Sequence, residues 1–256
     1  MLRADAGSGN SANMDETERA RQIICAIDTG DLDQATALSN ALKGRVGAVK
    51  LGLEFFCAAG PAGVSAVAES GLPIFLDLKF LDIPNTVAGA VRAACAWSPF
   101  MMTVHASGGA AMMRAATAAA LRAADSNGGA RPLLVGVTVL TSFDDGDLAE
   151  TGAQGPLRDQ VKRLAALAQD SGLDGVVASA HEVAMLRAQC GPEFTLVVPG
   201  IRPGWASADD QKRIVTPADA LAHGADFLVI GRPITRSDDP AGAAARIAAE
   251  MAAVAP

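Results

Sequence analysis

From Gln22 onward the chain repeats one pattern, a short apolar run followed by a longer segment whose apolar positions recur every three or four residues. The short runs are Gln22–Ile27, Ala48–Leu51, Ile74–Lys79, Phe100–His105, Leu133–Val139, Gly175–Ala178, Thr195–Val198 and Phe227–Ile230. Most are nearly unbroken in Val, Ile and Leu, which is the composition of strands covered on both faces. The helix-period segments are Leu32–Leu42, Gly60–Ser70, Val87–Trp97, Ala110–Ala124, Leu157–Asp170, Glu182–Ala188, Pro217–Ala222 and Ala241–Ala253. Ala, Leu, Arg and Gln dominate them, all good helix formers. Asp31 and Thr216 stand where N-caps belong, the latter followed by Pro217, and Gly71 and Gly172 where helices should end.

Eight strand–helix units in succession predict a parallel sheet, and their number and length favour closure into one (β/α)8 TIM barrel over residues 22–256. An open doubly wound sheet is the rival, but the first strand is not followed by G-x-G-x-x-G. No linker or break in composition divides the barrel segment. Residues 1–21 lack an apolar stretch and carry Asp5, Asp15, Glu16 and Glu18, so they are expected to form a disordered polar tail rather than a signal or transit sequence.

Composition narrows the partners. The 256 residues carry 21 Lys and Arg against 28 Asp and Glu, a net charge of −7. A broad nucleic-acid or anionic-membrane surface is therefore not expected, while a local basic pocket for a small anion remains open. No apolar run approaches the roughly 18 residues of a membrane span. Cys25, Cys57, Cys95 and Cys190 are widely spaced, which predicts free thiols and a reducing, cytoplasmic setting.

In a parallel barrel the chemistry gathers at the C-terminal ends of the strands. The first three runs end at Asp28, at Lys50 and at Asp77-Leu78-Lys79, and the fourth at His105. Asp77 and Lys79, two apart, share a face of their strand. Asp82 follows beyond it, before Ile83-Pro84, and Asn85 or Thr86 could cap the next helix. With Lys50 this makes an alternating Lys–Asp–Lys–Asp row. Burying such a row is costly, and core packing does not require it. The fifth run leads into Thr141-Ser142. The last two lead into Gly200-Ile201-Arg202-Pro203-Gly204 and Gly231-Arg232-Pro233, where such barrels bind phosphate. The long loop 201–213 has the polar composition of a lid.

On these residues the sequence resembles the orotidine 5′-phosphate decarboxylase family in its bacterial form. Asp77-Leu78-Lys79-Phe80-Leu81-Asp82-Ile83-Pro84-Asn85-Thr86 is similar to the family's D-x-K-x-x-D signature with its I-P-N-T tail. Val104-His105-Ala106-Ser107-Gly108-Gly109, Thr138 to Ser142, Pro199 to Pro203 and Val229 to Ile234 match further motifs in family order. The resemblance implies decarboxylation of orotidine 5′-monophosphate (OMP) to uridine 5′-monophosphate (UMP) in pyrimidine biosynthesis. It assigns proton donation to Lys79 and places Asp77 against the substrate carboxylate. Asp82 would enter the partner's site in a homodimer. Asp28 and Lys50 would bind ribose, Thr86 would contact substrate near the neighbouring site, and Thr141 and Ser142 would meet the pyrimidine. Arg202 and Gln211 would act from the lid side, and Gly231 with Arg232 would grip phosphate. Leu81 departs from the His common in bacterial members, and Trp97-Ser98-Pro99-Phe100 is an unusual approach to the fourth strand.

That reaction leaves an electron pair in an sp² orbital orthogonal to the ring π system, so the electron-sink strategy of cofactors suits it poorly. Neither a metal nor a cofactor is expected; fixed charges in a dry site would carry the step. Two alternatives stand beside this reading. One is a Mg²⁺-dependent sugar-phosphate barrel with the same D-x-K-x-x-D signature, which would need a carboxylate where Lys50 stands. The other is a non-catalytic nucleotide-binding barrel.

Overall fold

The computed structural model describes residues 15–206 and 215–253. Eight parallel strands close into a barrel in chain order. They are β1 (Ile23–Ile27), β2 (Ala48–Gly52), β3 (Ile74–Phe80), β4 (Met101–His105), β5 (Leu133–Val137), β6 (Gly175–Val177), β7 (Thr195–Pro199) and β8 (Phe227–Ile230). β1 pairs with β8 to complete the ring, and the chain is a (β/α)8 TIM barrel. The helices are α1 (Glu16–Arg21), α2 (Leu32–Ala41), α3 (Leu53–Ala68), α4 (Pro84–Ala94), α5 (Gly109–Asn127), α6 (Asp145–Glu150), α7 (Leu157–Asp170), α8 (Val183–Cys190), α9 (Pro217–Ala222), α10 (Arg232–Thr235) and α11 (Pro240–Ala252).

Strand parity sorts the core into two parts. Ile24, Ala26, Ala48, Phe75, Met101, Val135, Val197 and Val229 fill the inside of the barrel. The alternating residues, such as Ile23, Cys25, Val49, Leu51 and Leu76, pack outward against the helices. Continued toward the C-terminal rim, the inward rows bring up Asp28 after Ala26, Lys50 after Ala48, Asp77 after Phe75 and Gly231 after Val229.

Local signals behave as their chemistry requires. Asp31 accepts from the Gln34 N–H at 3.0 Å and Thr216 from the Asp219 N–H at 3.2 Å, each capping its helix. Gly71 and Gly172 have φ of 81° and 80°, the left-handed conformation that ends a helix. α3 starts earlier than its apolar periodicity indicates, because Gly60-Pro61 breaks it and only the second half carries the expected pattern. α4 starts at Pro84, with Ile83 at its N-cap and no side-chain cap, so neither Asn85 nor Thr86 caps it.

The expected polar tail is a helix over its last turn and a half. Asp15 accepts from the Glu18 N–H at 2.9 Å to cap α1. Glu16 and Glu18 then lie at its positive end and Arg19 and Arg21 at its negative end. α1 packs on α11 and buries Ala20. Residues 1–14 of that expectation lie outside the described residues.

Two like clasps hold the N-terminal end of the barrel. Asp174, just before β6, accepts from the Leu134 N–H of β5 at 2.8 Å and is paired two-pronged with Arg131. Asp226, just before β8, accepts from the Leu196 N–H of β7 at 2.7 Å and from Arg187 at 2.6 Å. Each carboxylate thus replaces a missing sheet partner and neutralises an arginine.

Candidate active site

A cavity of about 320 Å³ opens at the C-terminal rim, a size suited to a small ligand. Its floor is apolar, with Ala26, Phe75, Val137, Val177 and Val229. One wall carries Asp28, Lys50, Asp77 and Lys79, and the ends of β7 and β8, which adjoin it at Asp28, carry Gly200, Arg202, Gly231 and Arg232.

The charged wall is a chain of ion pairs. Lys50 Nζ lies 3.5 Å from Asp28 Oδ1 and 3.2 Å from Asp77 Oδ2. Lys79 Nζ approaches the same Asp77 oxygen to 2.8 Å. Gly52 leaves room for this: a Cβ there would stand 3.2 Å from Lys50 Nζ. Asp77 is buried, which alone would raise its pKa. The Lys50 and Lys79 charges and the hydrogen bonds from Lys79 and Thr103 outweigh that and hold the carboxyl below its usual range. On the outward row beneath Asp28, Cys25 is pushed up to about 12 by burial and by Asp28, against Lys50, and stays a thiol.

The spacing argument for Asp77 and Lys79 reaches the right pair by an irregular route. β3 matches β4 at Leu76↔Met102 and again at Phe80↔Val104, so the register shifts between them. Lys79 sits in this bulge at φ 50°, a left-handed conformation disfavoured for a side chain with Cβ. Its N–H donates to Thr103 Oγ1 at 2.8 Å, and the Thr103 hydroxyl donates to Asp77 Oδ1 at 3.0 Å. Sequence reasoning missed Thr103. Parity could have found it, since it follows inward-facing Met101 at a spacing of two. His105, next on that row, is half-buried. Burial and the nearby Lys79 lower its pKa, opposed by Asp77, so it is neutral at pH 7.

Asp82 does not join this wall within one chain. It is exposed, and its carboxylate accepts from the Ile83 N–H at 2.6 Å. Thr141 lines the cavity, whereas Ser142 and Thr86 are exposed outside its lining. Gly231 caps the short α10, with its carbonyl accepting from the Ile234 and Thr235 N–H groups. Arg202 is buried, and its N–H donates to the Val215 carbonyl at 3.2 Å, joining the two ends of the loop after β7. Gln211, and with it most of the expected lid, lies outside the described residues. Among the described residues, no group of three or more His, Cys, Asp or Glu side chains could hold a metal ion. Nor is any helix there long and apolar enough to cross a membrane.

Fold and site together define a TIM-barrel enzyme that lines one rim cavity with a row of fixed charges and two arginine-bearing strand ends. The chain belongs to the orotidine 5′-phosphate decarboxylase / HUMPS family, whose model matches residues 21–247. It is 56% identical over 229 residues to orotidine 5′-phosphate decarboxylase of Paramagnetospirillum magneticum, covering 90% of this chain and 97% of that one. The Rhodospirillum rubrum protein of the same name is 56% identical over 230 residues, with 90% and 93% covered. The crystal structure of orotidine 5′-phosphate decarboxylase from Lactobacillus acidophilus superposes with a TM-score of 0.78 at 37% identity, covering 91% of this chain and all of that one.

Proposed function

We infer that this protein decarboxylates OMP, the activity its relatives are named for, and so forms UMP and CO₂ in pyrimidine biosynthesis. The observation that carries the reading is the Lys50–Asp77–Lys79 cluster, which lines one cavity together with Arg202 and Arg232. As the C6–carboxylate bond breaks, its electron pair stays on C6, and Lys79 delivers a proton from Nζ to that carbon. The ammonium stabilises the developing charge, the more strongly once closure shuts water out. Asp77 holds Lys79 in place and stands against the departing carboxylate.

The remaining roles are those the family resemblance implies. Asp28 and Lys50 bind the ribose, and Thr141 and Ser142 meet the base. Gly231 and Arg232 hold the phosphate, with Arg202 and Gln211 from the loop after β7. Phosphate contacts far from C6 contribute by driving closure rather than by acting on the bond. Asp82 and Thr86 serve the neighbouring site of a homodimer. The exposed Leu81 and Ile83 support this, since they flank Asp82 in the chain with apolar surface, and Leu53 is likewise exposed after β2. Neither a metal nor a cofactor takes part, and the cytoplasm is the expected location.

The test is the loss of OMP absorbance on adding purified, chelator-treated protein. Steady turnover to UMP is expected. UMP binding without consumption of OMP would instead favour a non-catalytic nucleotide-binding barrel, and activity abolished by chelation a Mg²⁺-dependent relative.

A further inference from the structure

We infer that Thr103 is a positioning residue for the reacting pair, its single hydroxyl fixing both the backbone of Lys79 and the carboxylate of Asp77. The inference rests on Lys79 being the proton donor. The direction of each bond is forced. A backbone N–H can only donate, so Thr103 Oγ1 accepts from Lys79 at 2.8 Å. Its own proton is thereby left for Asp77 Oδ1, at 3.0 Å, which as a carboxylate can only accept.

The two bonds accomplish different things. With Oδ1 taken by Thr103, Asp77 presents Oδ2 to both Lys50 and Lys79. At Lys79 the residue lies in the left-handed region, inside the stretch where β3 and β4 lose register. Its N–H is satisfied by a side chain of β4, which holds the irregular turn where it aims the ammonium at the cavity. Thr103 is fully buried, so water cannot substitute for the hydroxyl. Packing does not call for a hydroxyl here, since the preceding inward residue of β4, Met101, belongs to the apolar interior. The β-branch restricts the rotamer, which fixes where Oγ1 points.

The experiment compares Thr103→Val, which keeps the shape and removes the hydroxyl, with Thr103→Ser, which keeps the hydroxyl, and carries Lys79→Ala alongside. Misplacing a reacting group by about an ångström can cost on the order of 100-fold in rate, so Thr103→Val is expected to lose about 10- to 100-fold in kcat. KM and the UMP dissociation constant should move less than about threefold, because the phosphate contacts are untouched and Lys50 keeps its second partner, Asp28. Thr103→Ser should recover most of the loss. A parent-like kcat in folded Thr103→Val, or Thr103→Ser as slow as Thr103→Val, overturns the assignment. Should the valine variant not fold, Thr103→Cys, of similar size but a weak hydrogen-bonding group, takes its place with the same expected split and the same overturning result. Turnover retained by Lys79→Ala would instead overturn the proton-donor reading, which separates the two failures.

Discussion

Lys50 and Asp77 meet at 3.2 Å on Oδ2, the oxygen that Lys79 also holds at 2.8 Å. One carboxylate thus lies between two ammonium groups, on adjacent strands, and cannot relax toward either without loosening the other. Lys50 reaches it from two residues lower in the register, where Gly52 rather than Lys50 stands opposite Asp77.

This arrangement has a pH signature. Because the folded protein holds the Asp77 carboxyl below its ordinary value of 3.8, the unfolded chain takes up a proton there first as the solution is acidified. The stabilisation from its ion pairs is complete above the unfolded value and is lost as pH falls through the folded one. In urea unfolding, the stability difference between parent and Asp77→Asn should therefore stay flat from pH 7 to about 5 with respect to this group. Below about 4 it should move against the parent, whatever its sign at neutrality. A difference independent of pH down to 3 would show that Asp77 is not held ionised.

The proton donation proposed for Lys79 falls on a strained backbone. Lys79→Ala should lower kcat by at least about 1000-fold, within the usual range for removal of a general acid, with circular dichroism unchanged. Glycine normally destabilises a strand by roughly 0.5–1 kcal/mol relative to alanine. At φ 50° that order should reverse, leaving Lys79→Gly at least as stable as Lys79→Ala. Denaturant midpoints decide it.

If Asp82 completes the partner's site, two dead variants should revive each other. Mixing Lys79→Ala with Asp82→Ala subunits and allowing exchange creates mixed dimers with one intact site and one doubly deficient site. Random pairing predicts about a quarter of the parent activity. Activity that never rises above that of the separate variants would place Asp82 within its own chain's site or outside catalysis.

The clasps at the far end of the barrel should act on stability alone. Arg187 donates to Asp226 and to the Gly224 and Phe194 carbonyls. Arg187→Ala leaves these acceptors without a charged donor and should cost about 1–3 kcal/mol. Its kcat should match that of the parent, read at a temperature where both are folded.

Much of this was legible in the chain because the strands of a closed parallel barrel have to be apolar on both faces. All eight runs became strands, with boundaries shifted by one or two residues at most. α1 was missed because it is charged and short, and its stability comes from a cap and from α11 rather than from an apolar stripe. α6 and α10 are too short for any periodicity to register. The charged wall was readable as polar residues at strand ends, yet its order within one chain is Asp28–Lys50–Asp77–Lys79. Asp82, placed in that row by its spacing, turns instead toward the Ile83 N–H. Thr103 stayed hidden because one threonine in an apolar strand looks like a tolerated hydroxyl; only its partners reveal its use.

The paired clasps of Asp174 and Asp226 divide labour around the ring. β1 to β4 supply the charged wall and Thr103, while β5 with β6 and β7 with β8 are each locked by the same device at the opposite end. The clasps therefore stand at the end of the barrel away from the cavity, and on the proposed assignment they bear on heat tolerance without touching the residues of turnover. A lineage facing a warmer habitat could retune the locks and leave the reaction untouched.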